Sequence, residues 1–252
     1  MDKHSYNKMQ KPKMIIFDYG HTLLCEPDLD FVRGEEALFK YVTSNKNNLT
    51  PKQVCDFSTK LFEDIGITRD LDLELHQWQF QKFLYEYMQL EFSISIPEIE
   101  KIFWDNASPG ALMPNVEEML NYIYTKGIRS AVISNIGWSG SALTERINRL
   151  LSQNKFEFII ASSEYMFRKP SSMIYELALR KAGLDAGDVW YCGDSIMNDV
   201  DGSAKAGIFP VWYQNKTIDN PWMGREEGMT PHCEHIHIND WKELIDILEN
   251  IC

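Results

Sequence analysis

The pattern that most constrains this chain is a short apolar run ending in small polar or acidic residues, repeated along the sequence. Met14-Ile15-Ile16-Phe17 runs into Asp18. Residues 129–135 (Arg-Ser-Ala-Val-Ile-Ser-Asn), 156–161 (Phe-Glu-Phe-Ile-Ile-Ala), 189–194 (Val-Trp-Tyr-Cys-Gly-Asp) and 208–213 (Ile-Phe-Pro-Val-Trp-Tyr) repeat the theme. Such runs suit strands buried on both faces. Amphipathic stretches at 115–126, 141–151 and 171–182 lie between them. Lys126-Gly127 stops the first, and the third opens with Pro170-Ser171-Ser172 and stops at Gly183. These are helix start and stop signals. A short helix is expected over about 240–250. Strand–helix alternation predicts an α/β fold, with a parallel sheet covered by helices on both faces. Ligands of such sheets sit at the carboxyl ends of the strands, where Asp18, Ser134, Asn135 and Asp194 fall.

Residues 31–108 break the rhythm. They are rich in helix formers and aromatics, as in Trp78-Gln79-Phe80-Gln81-Lys82-Phe83-Leu84-Tyr85, and show no strand–loop–helix cycle. They read as a helical insertion whose aromatic stripe is mostly its own core. The expected division is therefore a core of residues 1–30 and 109–252 with an inserted helical unit at 31–108. Residues 216–235, with Pro221, Gly224, Gly228 and Pro231, read as a loop.

The formal net charge of -12 argues against non-specific binding to nucleic acid or anionic membranes. No apolar run approaches the ~20 residues of a membrane span, and the polar first 13 residues, with no apolar run behind them, do not resemble a secretory signal. A cytoplasmic location is expected. The five cysteines are widely spaced, with no Cys-x-x-Cys pair, which favours unrelated reduced thiols over a metal or redox centre.

Four sites on this scaffold carry suggestive groups: Asp18, Ser134-Asn135, Lys169, and Asp194 with Asp199. Taken singly, each has an ordinary explanation as a turn, cap or loop residue. Their joint order resembles the haloacid dehalogenase-like (HAD) hydrolase superfamily. Asp18-Tyr19-Gly20-His21-Thr22 resembles the first motif, Asp-x-Asp-x-Thr. Ile133-Ser134-Asn135 matches the second, Arg168-Lys169-Pro170 the third, and Gly193-Asp194-Ser195-Ile196-Met197-Asn198-Asp199 the fourth. The resemblance covers about residues 14–24 and 110–213. It implies a Rossmann-like α/β core with a helical cap domain in the position of residues 31–108.

It also implies chemistry. Asp18 would be the nucleophile of a phosphatase acting on a small phosphorylated substrate, forming an aspartyl-phosphate that water hydrolyses. Mg²⁺ would be held by Asp18, Asp194, the backbone carbonyl of Gly20 and, through water or from behind, Asp199. Ser134 and Lys169 would grip the phosphoryl oxygens, helped by the amides near Asn135.

One position departs from the pattern. Gly20 stands where family phosphatases carry a second aspartate, which protonates the leaving oxygen and then activates water. Three readings follow. A phosphatase could use a substitute acid or favour good leaving groups; His21 is the nearest titratable side chain, and Glu74 and His76 are candidates from the insertion. A phosphonatase-like C–P hydrolase would need an insertion lysine, from Lys40, Lys46, Lys52, Lys60 or Lys82. A catalytically impaired homologue would bind phosphate or protein. The metal-type fourth motif argues against dehalogenation.

Overall fold

In chain order the strands are β1 (Met14–Phe17), β2 (Leu24–Cys25), β3 (Val42–Asn45), β4 (Leu90–Phe92), β5 (Ala111–Leu112), β6 (Arg129–Ser134), β7 (Ile159–Ala161), β8 (Val189–Gly193), β9 (Phe209–Tyr213) and β10 (Ile236–Ile238). The helices are α1 (Phe31–Phe39), α2 (Pro51–Asp64), α3 (Ile67–Asp70), α4 (Gln77–Tyr87), α5 (Ile96–Ala107), α6 (Val116–Thr125), α7 (Gly140–Leu150), α8 (Ser172–Ala182), α9 (Gly202–Lys205) and α10 (Trp241–Asn250). This computed structural model describes residues 10–219 and 226–251. Residues 1–9, Pro221 and Gly224 of the expected loop, and Cys252 lie outside the described residues.

β1 reads as an unbroken apolar run because all of it is buried. Alternate residues of a strand face opposite sides of the sheet. Ile15 and Phe17 join Val132, Cys192 and Val211 in a core closed by Met119 of α6, Leu143 of α7 and Trp241 of α10. Met14 and Ile16 join Ala131, Ile133 and Tyr191 on the other face, beneath Ile174, Tyr175 and Ala178 of α8. Each fully buried aliphatic side chain contributes roughly 1.5–3 kcal/mol. The fold is the expected Rossmann-like α/β arrangement, with helices on both faces.

The six-stranded sheet has the order β10-β9-β8-β1-β6-β7, and its pairings are parallel. The chain leaves β1 toward β6 and β7, then returns to the other side through β8. The order reverses at β1, where the loops after neighbouring strands part and leave room for a ligand. Asp18, Ser134 and Asp194 therefore fall at the carboxyl ends of three adjacent central strands. The expected loop at 216–235 leads into one element that the sequence does not announce. β10 is an edge strand that turns Ile236 and Ile238 inward and leaves His237 exposed.

Residues 31–107 pack around their own core of Leu38, Val54, Phe80, Leu84, Ile99 and Phe103. The expectation of helices without strands needs correction, because β3 and β4 form an antiparallel pair there. The two crossings into and out of this region pair as β2 with β5. Arg33 ties the crossings together, donating to the carbonyls of Asp28 (2.7 Å), Asn106 (2.7 Å) and Ala107 (2.8 Å). No described helix is long and apolar enough to cross a membrane.

The inserted helices also dock on the loops that follow β6 and β7. Leu73 pairs with Phe167, the Glu74 amide donates to the Met166 carbonyl (2.6 Å), and the Gln77 amide donates to that of Gly137 (2.7 Å). Buried Glu100 of α5 accepts from the Ser139 amide (2.6 Å), the Ser139 hydroxyl (2.5 Å) and the Trp78 indole (2.7 Å). Ser139 is the N-cap of α7, where a negative charge also meets the positive end of the helix dipole. Glu100→Ala leaves buried donors without a partner, so it should cost about 2–4 kcal/mol and lower Tm by roughly 5–15 °C. A thermal melt checks this; a Tm within a degree of wild type contradicts this account of how the inserted helices are anchored.

Candidate active site

The site is built on three carboxylates and one ammonium. Asp18 leaves the end of β1, where its amide donates to the Cys192 carbonyl of β8 (2.8 Å). Asp194 follows the end of β8. Asp199 lies in a π-helical turn, Ile196–Asp201, whose register brings its carboxylate back under Gly193. Oxygen atoms of Asp18, Asp194 and Asp199 lie within 4.8 Å of one another. A Cβ on Gly193 would sit 2.3 Å from the Asp199 carboxyl carbon, so glycine is required there by space rather than by backbone conformation.

Lys169 enters from the loop after β7 and is buried beneath them. Its Nζ donates to Asp18 Oδ1 (2.7 Å), Asp199 Oδ1 (2.5 Å) and the Tyr191 hydroxyl (2.8 Å). Burial alone would lower the Lys169 pKa, but the charges of Asp18 and Asp199 outweigh it and hold the ammonium above its ordinary value. Asp199 is pushed up to about 6 by burial and by the Asp18 charge, against the pull of Lys169. Tyr191 is raised well above its ordinary range, first by burial and then by the Asp199 charge. It stays a neutral hydroxyl, and donates to the Ile133 carbonyl (3.1 Å).

These groups fit a hard divalent cation. Three carboxylates and one ammonium leave a formal charge of -2 in a largely buried place, which a doubly charged ion balances. The donors are all oxygen, as Mg²⁺ prefers.

The structure brings together Asp18, Lys169, Asp194 and Asp199 as the sequence predicts. Ser134 ends β6 and is buried. Asn135, whose neighbouring amides are expected to help grip the phosphoryl group, has a separate task for its side chain. Its Nδ2 donates to the Lys169 carbonyl and its Oδ1 accepts from the Lys169 amide, both at 2.7 Å. The side chain thus pairs with both backbone groups of Lys169, as a strand neighbour would. Gly20 bridges to Leu24 and has open space where a side chain would stand. His21 adopts φ +51°, and its buried Nδ1 has no partner among the described residues. Burial lowers its pKa, against the opposing charge of Asp219.

The insertion's candidates are otherwise engaged. Glu74 meets Ser162 Oγ (3.0 Å) and Arg168 (3.4 Å). His76 caps α4 by accepting from the Trp78 amide (3.1 Å). Lys40, Lys46, Lys52, Lys60 and Lys82 are all exposed.

Three contributors escape the sequence reading. Tyr191 carries a hydroxyl within an otherwise apolar strand, which is a usable though weak signal. The Trp212 indole donates to the Asp194 carbonyl (3.0 Å). Glu226, in the stretch read only as a loop, accepts from Ser195 Oγ (2.7 Å) and the amides of Ile196 (2.7 Å) and Met197 (3.1 Å). Nothing local marks either of these two.

Comparison with known proteins bears on the family. Residues 79–212, more than half of the chain, match the family model described as haloacid dehalogenase-like hydrolase. The chain is 21% identical over 222 residues to pyrimidine 5'-nucleotidase PynA of Streptococcus pneumoniae, covering 82% of this chain and 86% of that protein. It is 27% identical over 207 residues to glyceraldehyde 3-phosphate phosphatase of Pyrococcus abyssi, covering 80% and 81%. The crystal structure of 2-haloacid dehalogenase from Pseudomonas syringae superposes with a TM-score of 0.62 at 17% identity, covering 94% of this chain and 98% of that one. This last likeness speaks for the fold alone. With the motif residues in place and the family model matched, the chain belongs to the haloacid dehalogenase-like hydrolases.

Proposed function

We propose that this hydrolase cleaves a small phosphate ester with Mg²⁺, through an aspartyl-phosphate at Asp18. The observation that carries the proposal is the buried Lys169 ammonium bridging Asp18 and Asp199, with Asp194 completing the carboxylate cluster. Of the sequence relatives named above, one is a 5'-nucleotidase and one a phosphatase by name, which supports phosphate as the group acted on.

The chemistry balances as two displacements at phosphorus. An Asp18 oxygen forms a bond to phosphorus, and the ester oxygen departs with the electron pair. Water then forms a bond to the same phosphorus, and the Asp18–phosphorus bond breaks to return the carboxylate. Lys169 and Ser134 hold the phosphoryl oxygens as charge moves onto them. Asp18, Asp194 and the Gly20 carbonyl, supported by Asp199, would hold Mg²⁺, which would supply charge neutralisation for the transferring group. Residues 31–108 act as a cap that limits entry of water and sets the substrate. Reduced Cys25, Cys55, Cys192 and Cys233 fit a cytoplasmic enzyme.

The leaving oxygen receives no proton from position 20. Esters whose leaving group departs as a weak base are therefore favoured. A phosphonatase would need an activated amine on the insertion, and the exposure of its five candidate lysines disfavours that reading. The competing reading is a binding homologue without turnover, and Gly20 is the observation in its favour.

Wild type should release phosphate from an aryl phosphate only with Mg²⁺, and Asp18→Asn should lose at least about a thousand-fold in rate. No wild-type turnover in this assay sinks the phosphatase proposal and leaves the binding homologue, whereas undiminished Asp18→Asn turnover sinks the assignment of Asp18 as nucleophile. The open space beside Gly20 yields a second expectation. Gly20→Asp should fit without a clash and raise alkyl phosphate turnover by ~10²–10⁴-fold, with a smaller gain for aryl esters. Equal gains for both ester classes, or none, would contradict the assignment of the missing acid to this position.

A further inference from the structure

We propose that Tyr191 is the residue that positions Lys169 for phosphoryl binding: its hydroxyl, with Asp199, fixes the ammonium so that the contact to Asp18 is the exchangeable one. The inference rests on the phosphatase proposal above and adds a residue to it.

An ammonium has three hydrogens, and each has an acceptor here: Asp18, Asp199 and Tyr191. A phosphoryl oxygen can reach Lys169 only by replacing one of them. Tyr191 is poorly placed to give way. It stands on the central strand β8, fully buried, with its ring edge-on to Tyr175 at 5.2 Å. Its hydroxyl also donates to the Ile133 carbonyl (3.1 Å), so a turn away from Lys169 breaks two hydrogen bonds. Asp199 is equally constrained, because its second oxygen accepts from the Ser195 amide (2.9 Å) and its carboxyl fills the space over Gly193. Asp18 is the most exposed of the three, at 11% of its side chain against 2% for Asp199. It is also the group whose charge is lost when its oxygen bonds to phosphorus. The Nζ hydrogen aimed at Asp18 is thereby aimed at the place where a phosphoryl oxygen arrives.

Tyr191 joins three parts of the site. It lies two residues before Gly193, accepts from Lys169, and bonds the carbonyl of the residue that precedes Ser134. A phenylalanine would keep the ring and its packing while removing both hydrogen bonds.

The test compares wild type with Tyr191→Phe on an aryl phosphate, with orthovanadate binding by calorimetry and Mg²⁺ half-saturation measured alongside. Loss of a hydrogen bond to a charged group corresponds to about ten- to a hundred-fold in affinity. The expectation is a fall of that size in both kcat/KM and vanadate affinity, with Mg²⁺ half-saturation unchanged within about two-fold. A purely structural role would lower Tm and weaken Mg²⁺ and vanadate together, and that result overturns the proposal. So does wild-type vanadate affinity in the variant. If wild type itself neither turns over nor binds vanadate, the phosphatase proposal fails, which separates that outcome from failure of the Tyr191 assignment.

Discussion

The buried ammonium of Lys169 is the interaction on which the rest of the site depends. Asp18 and Asp199 are brought close at the end of a parallel sheet, where like charges repel and burial removes the water that would screen them. Lys169 bridges both. Such buried ion networks add little net stability, since desolvation offsets the attraction, but loss of one partner leaves an uncompensated charge. The surrounding structure is therefore arranged to keep Lys169 in place. Asn135 fixes its backbone on both sides, and Tyr191 takes the third hydrogen. Gly193 leaves the space that Asp199 occupies.

The sheet order explains why these groups meet at all. They come from positions 18, 169 and 199, far apart in the chain, yet β1 lies between β6 and β8. Reversal of strand order at β1 opens the crevice, and the loops that flank it carry the chemistry. The inserted helices add a second constraint. They enter and leave beside the β2–β5 pair, through crossings that Arg33 clamps at Asp28, Asn106 and Ala107, and they meet the loop that carries Lys169 through the Leu73–Phe167 bridge. The insertion is thus hydrogen-bonded to the backbone immediately before Lys169, where the Arg168 amide donates to the Asp72 carbonyl (3.0 Å).

Much of this was legible in the sequence, for definable reasons. Strands buried on both faces must be apolar throughout, so β1, β6, β8 and β9 stand out as runs. Asp18, Lys169, Asp194 and Asp199 stand out as a set because their joint order resembles the family's motifs. Short or partly exposed strands carry no such mark: β3 and β4 vanish among helix formers, and β10 spans three residues. The greatest losses concern pairings across long stretches of chain. Asn135 with Lys169 and Glu100 with Ser139 are separated by 34 and 39 positions. Local periodicity holds no record of which polar side chain will meet which backbone group. The pairing of the Asn135 side chain with Lys169 is invisible in the sequence for that reason.

The central claim is that Asp18 bonds covalently to phosphorus. Mass spectrometry of acid-quenched enzyme, taken during turnover of an aryl phosphate, tests it most directly. The account predicts one phosphoryl group on the peptide containing Asp18, labile to hydroxylamine as an acyl phosphate should be. Turnover with no phosphoryl adduct trapped under single-turnover conditions, or with the adduct on another residue, would contradict it.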